Sequence, residues 1–300
     1  MTMPITDDTN IAMWGITGSG KTWMLHAFAK ELAWYNENDP QFTYTLLDGN
    51  NRALALPNPP DATDLAPTEM PEDRTWMFER KGRDSASRRH LISSHVHRIV
   101  VHDNRGSDLV DVVSKNENEN AIILSVLQAS SNLIVTLDPT AVEDAPLIGP
   151  VKSQQQYKKY EYEQFIRGLV NRILERNNTG RLAICLSKAD LVRLYLPVEK
   201  IIEALYGEGF ARALTNPKLT VRFFRVSSVG TVRLSDGRRV TNISDGLNVL
   251  KVPEKWDPVN VVSPFFWLFE EIERARIKSG SDFLGDRVSQ YIPYPQPRPA

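Results

Sequence analysis

Gly15-Ile16-Thr17-Gly18-Ser19-Gly20-Lys21-Thr22 fits G-x-x-x-x-G-K-[ST]. The apolar run Asn10-Ile11-Ala12-Met13-Trp14 precedes it and reads as a short buried strand. After it, Trp23, Leu25, Phe28, Leu32 and Trp34 stand among good helix formers, so a helix is expected to about Tyr35. Strand, glycine loop and helix are the setting this motif needs. The glycines let the backbone wrap a phosphate with its N–H groups pointing inward, and the helix N-terminus adds positive potential. In such a loop Lys21 reaches the β- and γ-phosphates and the Thr22 hydroxyl binds Mg²⁺. The competing reading, a plain glycine turn between strand and helix, leaves the Lys-Thr pair unexplained.

Outward from the loop, strands alternate with helical patterns. Asn36 to Pro40 reads as a turn and Phe42 to Leu47 as a strand. Residues 48–74 are rich in Pro, Asn and Asp, and a loop this long inside a domain is usually functional or disordered. Strands follow at Trp76–Arg80 and Arg98–His102, with the polar, basic stretch Lys81–Arg89 between them read as a solvated connection. Short helices are expected at 107–114 and 121–128, then a strand at Leu133–Leu137 closed by Asp138-Pro139. A long amphipathic helix is expected near Tyr160–Glu175, a strand at Leu182–Leu186, helices near Pro197–Tyr206 and Gly209–Leu214, and a strand at Val221–Val226. Residues 229–245 form an inserted hairpin around Asp236-Gly237, and the last helix spans about Val259 to Ile277. The alternation predicts an α/β fold of three layers, the P-loop NTPase fold, with a mainly parallel sheet covered by helices on both faces. The domain spans 10–277, after a loose N-terminus (1–9) and before a Pro-rich tail (278–300) that is extended or disordered.

Composition narrows the function class. The chain has 300 residues and a net charge of −1, which gives no general pull toward nucleic acid or anionic membrane. Its one cysteine, Cys185, lies in an apolar run and reads as a core residue; one cysteine permits no intrachain disulfide, which suits a cytoplasmic location. No apolar stretch approaches the ~20 residues of a membrane span. The spacing of His90, His95, His97 and His102 matches no zinc pattern.

Two further clusters fall at the carboxyl ends of expected strands, where α/β sheets bind ligands. Asp103-Asn104-Arg105-Gly106 ends an apolar strand. Asp103 is placed to hold Mg²⁺, and Gly106 lets a backbone N–H approach a γ-phosphate. Ser187-Lys188-Ala189-Asp190 ends another. A carboxylate at Asp190 accepts two hydrogen bonds from guanine N1–H and N2–H₂, a donor pair that adenine lacks. The Lys188 stem can lie over the base plane, and Ser227-Ser228 offers a backbone N–H to guanine O6.

With GITGSGKT, DNRG, SKAD and SS in this order, residues 10–275 resemble the P-loop GTPases of the Ras-like and translation-factor class. A further likeness, to GTPases of bacterial conflict and signalling gene clusters, rests on the long loop, the extra hairpin and the ending Trp256-Asp257-Pro258 … Pro264-Phe265-Phe266-Trp267. The first resemblance implies a GTP/GDP site with Thr17, Gly18, Ser19, Gly20, Lys21, Thr22 and Trp23 on the phosphate side, and Ser187, Lys188, Asp190, Ser227 and Ser228 on the base side. Mg²⁺ would be held by Thr22, Asp103 and a switch-loop threonine. Thr68 is preferred for that role, with Thr75 close behind and Thr63 also in range. Catalysis would rest on Lys21, Thr68, Gly106 and Ser107.

Three positions depart from the pattern. Ser107 stands where a water-orienting Gln is usual, Thr17 where Gly is frequent, and Ser187 where Asn or Thr is usual. The first two point to slow unaided hydrolysis. The expectation is a guanine-nucleotide switch with slow Mg-dependent GTP hydrolysis that acts on a protein effector or needs an activating partner. The alternatives are a nucleotide-bound scaffold that does not turn over, and an ATP-using enzyme, which Asp190 disfavours.

Overall fold

The computed structural model describes residues 11–16, 18–47, 52, 72–82, 95–103, 130–148, 156–176, 180–192, 196–244 and 249–279. Seven strands make one sheet in the order β2-β3-β4-β1-β5-β6-β7. They are β1 (Ile11–Gly15), β2 (Phe42–Leu47), β3 (Glu72–Gly82), β4 (His95–Asp103), β5 (Asn132–Leu137), β6 (Gly180–Leu186) and β7 (Leu219–Arg225). From β4 to β7 every pairing is parallel, and only β3 runs against its neighbours. A separate hairpin, β8 (Thr231–Arg233) with β9 (Arg239–Thr241), lies where the sequence predicted one.

The helices are α1 (Lys21–Asn38), α2 (Lys159–Arg176), α3 (Val198–Tyr206), α4 (Glu208–Ala213) and α5 (Val262–Ser279). Side chains alternate across a strand, so each strand feeds two cores. Ile11 and Met13 of β1 pack with Phe28 of α1 and with Phe265 and Phe269 of α5. Ala12 and Trp14 of the same strand pack with Ile166 of α2, Ile202 of α3 and Phe210 of α4. A parallel sheet buried on both faces demands near-continuous apolar strands, and β1, β5 and most of β6 are buried along their length. The three layers, α on β on α, are those the alternation of elements predicted.

Several boundaries differ from the sequence reading. Helix α1 absorbs Asn36 to Asn38, expected as a turn. Asn36 is stable there because its side chain both donates to Tyr44 O (2.7 Å) and accepts from Tyr44 N (2.7 Å), tying the helix end to β2. Strand β3 begins at Glu72, so the last three residues of the expected 48–74 loop are extended chain. Thr75, a candidate switch threonine, sits inside this strand opposite Val100. Pairing with β4 from Glu72 to Arg80 outweighs the polar composition that suggested a loop. Helix α5 continues to Ser279, past the expected start of the tail. Thr17, Thr63, Thr68, Gly106, Ser107 and the helices expected at 107–114 and 121–128 lie outside the described residues.

Register sets the height of the site. Gly15 stands opposite Thr136, Thr136 opposite Cys185, and Leu186 opposite Arg225. Met13 stands opposite Val101, so Asp103 ends β4 level with the first residue of the glycine loop. Glu72, where the chain enters β3, is opposite Asp103. The carboxyl ends of β1, β4, β5, β6 and β7 thus form one edge.

Candidate nucleotide-binding site

The glycine loop has the backbone its sequence requires. Gly18 and Gly20 have φ of 77° and 88°, the left-handed region that side chains avoid, although the space beside each is open. Gly20 is the N-cap of α1, with no side-chain cap hydrogen bond among the described residues. Gly15 is small for another reason. A Cβ there would stand 1.9 Å from Thr136 Oγ1 and 2.4 Å from Ser19 Oγ. Those two hydroxyls bond each other at 2.8 Å, and Thr136 donates to Trp14 O at 3.0 Å. The fully buried Ser19 side chain therefore fastens the loop to β5 rather than facing a ligand. The Ser19 N–H closes a turn on Ile16 O (3.1 Å).

Lys21 opens α1 and is 5 % exposed. Its Nζ donates to Gly15 O at 2.9 Å and Ile16 O at 3.4 Å. Both acceptors are neutral carbonyls, which an anionic phosphate oxygen would replace with an ion pair. Thr22 is half-buried in the first helical turn. Trp23 is buried, its Nε1 makes no hydrogen bond, and its ring meets Trp256 edge-on at 6.1 Å.

A second group gathers after β6. The Ser187 hydroxyl donates to Leu137 O at 2.9 Å and so braces β6 against β5 rather than facing outward. Lys188 has a left-handed backbone (φ 50°), and its ammonium is paired with Asp138 Oδ2 at 2.7 Å. Asp138 is fully buried at the end of β5. Its other oxygen accepts from Thr140 N (2.8 Å) and Thr140 Oγ1 (2.6 Å). Neither Asp138 nor Thr140 stood out in the sequence, where Asp138-Pro139 marked only a strand end. The signal available was an acid two residues before a threonine, an N-cap pattern that says nothing of Lys188.

Asp190 lies in the helical turn Ala189–Leu191. Ser227 Oγ donates to its Oδ1 at 2.5 Å, while Oδ2 is buried with no hydrogen bond among the described residues. Burial pushes this carboxyl above the ordinary carboxylate range, against the Ser227 and Thr241 hydroxyls and the Lys188 charge, which pull it back. Thr241, on β9, is close enough to act on the charge, yet its hydroxyl too is buried without a hydrogen bond. An orphaned, buried carboxylate oxygen is costly unless a donor arrives. The structure thus brings Lys188, Asp190, Ser227 and Ser228 together after β6 and β7, and Gly18 to Trp23 together after β1. For Asp103 it gives the place of the backbone at the same edge.

Among the described residues no helix is long and apolar enough to cross a membrane, and no three His, Cys, Asp or Glu side chains gather as metal ligands.

No protein-family model matches the chain, and no curated protein matches it significantly. Solved structures with some likeness include the ADP-ribosylation-factor-like protein, small COPII coat GTPase SAR1, from Encephalitozoon cuniculi in complex with GDP. It is 14 % identical over 92 % of this chain and 84 % of that one, with a TM-score of 0.35. The signal recognition particle receptor SRb-GTP/SRX complex from Chaetomium thermophilum gives 14 % identity, 76 % and 96 % coverage and 0.37. The Saccharomyces cerevisiae Ski7 GTPase-like domain bound to GTP gives 17 %, 89 % and 50 %, and 0.38. By its own sheet order and the order of its loops along one sheet edge, the chain resembles in fold the P-loop GTPases of the Ras-like and translation-factor class.

Proposed function

We propose that this chain binds GTP and GDP with Mg²⁺ and hydrolyses GTP slowly, as a switch read by a protein partner. The observation that carries the reading is Asp190 Oδ2, buried and without a donor beside the Ser227-Ser228 loop. Guanine presents two adjacent donors to a carboxylate; adenine presents an acceptor at the first of those positions. A site with a buried unpaired acceptor rejects a ligand that cannot pair with it.

On the phosphate side, Lys21 Nζ would leave Gly15 O and Ile16 O for the β- and γ-phosphates, and the loop N–H groups at the start of α1 would cradle them. Thr22 and Asp103 would hold Mg²⁺, with Thr68 the candidate third ligand. When bound, the ion neutralises charge on the phosphates. Gly106 would offer its N–H to the γ-phosphate. The stretches around 48–71 and 104–114 would respond to that phosphate, since β3 begins and β4 ends at the loop edge of the sheet. Ser107 in the water-orienting position supports low turnover. It also favours a second reading, a scaffold that keeps its nucleotide.

Mass spectrometry of nucleotide released from the purified chain, with calorimetry against GDP and ADP, tests the reading. GDP is expected to bind far more tightly. Equal affinities would reject it.

A further inference from the structure

The chain between β7 and α5 does more than form a hairpin, because it returns to the Ser227-Ser228 loop from several directions. Trp256, buried in the return segment, donates its Nε1–H to Ser228 O at 2.8 Å. Three residues later, Val259 is paired with Ser227 in both directions, Ser227 N to Val259 O at 3.0 Å and Val259 N to Ser227 O at 2.8 Å. Gly230, with φ 71°, lies so close to Asp257 that a Cβ would stand 2.1 Å from Asp257 O. From the other side, Asn242 N donates to Gly230 O at 3.1 Å.

These bonds hold the peptides around Ser228 and leave one group over. Among the described residues the Ser228 N–H makes no hydrogen bond. A loop N–H recognises an acceptor only if its peptide plane is already oriented; otherwise the ordering entropy is lost on binding. The Ser227 carbonyl, in the same peptide as that N–H, is fixed by Val259 N, and the next peptide is fixed through Ser228 O by the Trp256 indole, so the Ser228 backbone is held at both ends. Trp256 cannot swing freely, because its ring packs edge-on against Trp23 in the first turns of α1.

We propose that Trp256 is a positioning residue for base recognition: its indole N–H holds the Ser228 carbonyl so that the free Ser228 N–H meets the six-position oxygen of a purine. The inference rests on the guanine reading and adds a residue from the inserted segment to it. Trp256 itself does not touch the base.

The test pairs two changes at Trp256 with two changes in the ligand. Trp256→Phe removes the donor and part of the ring. The isostere β-(3-benzothienyl)alanine at position 256 keeps the shape and replaces only the N–H by sulfur, which guards against a folding defect. Affinities are measured for GDP, for 6-thio-GDP, whose sulfur is a weaker acceptor than O6, and for IDP, which lacks the amino group that faces Asp190. In the wild type GDP is expected to be preferred over 6-thio-GDP, and both variants should shrink that preference by about two- to tenfold, the worth of one hydrogen bond. The GDP-to-IDP ratio should stay unchanged. Equal weakening of all three ligands, or an undiminished preference for GDP over 6-thio-GDP with the isostere, would overturn the proposal, since a purely structural role moves every ligand alike. No GDP binding by the wild-type chain would overturn the guanine reading itself and this inference with it.

Discussion

Glu31 of α1 accepts two hydrogen bonds on Oε2 from the far end of the chain, Val261 N at 2.7 Å and Val262 N at 2.8 Å. These N–H groups open α5, so a buried carboxylate caps one helix from the side of another. The negative charge also complements the positive end of the α5 dipole. The glycine loop leads into α1, and the Ser227-Ser228 loop is paired with Val259 just ahead of α5, so this bond ties together the elements beside the proposed site.

Glu31→Ala should destabilise the fold by about 2–3 kcal/mol, because two buried N–H groups lose a charged acceptor. Glu31→Gln should cost less, since an amide oxygen still accepts. Urea unfolding of the nucleotide-free chain measures both. A cost within error for Glu31→Ala would mean that water or another group caps α5.

Asp138 and Lys188 make an ion pair beside Asp190, at the proposed base site. Asp138→Ala would leave the Lys188 ammonium without its partner and the Thr140 N–H without an acceptor. The expected cost is about 2–3 kcal/mol, below that of a wholly buried pair because Lys188 keeps 33 % of its side chain exposed. Chemical denaturation reads the stability. If the Lys188 stem forms one wall of the base slot, guanine affinity should fall in the same variant at temperatures where it remains folded.

Lys21 is expected to matter far more for the nucleotide than for the fold. Among its bonds are those of Nζ to Gly15 O and Ile16 O, whose place a phosphate would take. Lys21→Ala should weaken GDP and GTP by about 2–5 kcal/mol in calorimetry, the range for truncating one member of a buried charge pair. Unchanged affinity would remove the loop from the site.

Much of this was legible in the sequence. Strands β1, β2, β5 and β6 were readable because each is a compact apolar or β-branched run bounded by turn residues. The glycine loop and the Ser-Lys-Ala-Asp turn were readable as fixed spacings. The extent of β3 was not, because Glu72, Asp73 and Arg74 are polar and only the long partner strand β4 makes them extended. Asp138, Glu31 and Trp256 were not legible as partners, since each acts across 28 or more residues of chain on a group whose position no local pattern encodes. Ser19 shows the opposite case. The motif placed its backbone against a phosphate and said nothing of its hydroxyl, which bonds Thr136 across 117 residues of chain.

Hydrolysis by the isolated chain is expected to be slow. Ser107 cannot orient a water as an amide side chain would, and single-turnover rates should fall well below ~1 per second, in keeping with intrinsic rates of order 10⁻⁴–10⁻² per second for such sites. Asp103→Ala should abolish the remainder, and Ser107→Gln should speed it. Radiolabelled phosphate release under single-turnover conditions decides both. Fast multiple turnover by the wild type alone would show that another residue orients the water.

The dependence on pH follows from Asp190. Burial raises its pKa in the free chain above the ordinary value of 3.8. Guanine donors bond the ionised form, so binding should lower that pKa again and release a proton at acidic pH. Guanine affinity should therefore rise with pH as the free-state pKa of Asp190 is passed; the nucleotide's terminal phosphate, with a second pKa of about 6, adds a separate step that Asp190→Asn leaves in place. Stability runs the other way. An acid whose pKa is raised by folding is held more tightly in its neutral form, so the nucleotide-free chain loses stability as pH climbs from 3.8 through the raised value. Asp190→Asn removes the buried charge at neutral pH. It should raise the melting temperature of the nucleotide-free chain, abolish the acidic step in binding, and weaken GDP sharply, because an amide donor would then face guanine donors. Calorimetry in buffers of differing ionisation enthalpy counts the protons released, and a wild-type chain that releases none at any acidic pH while binding GDP would show that Asp190 is not the group facing the base.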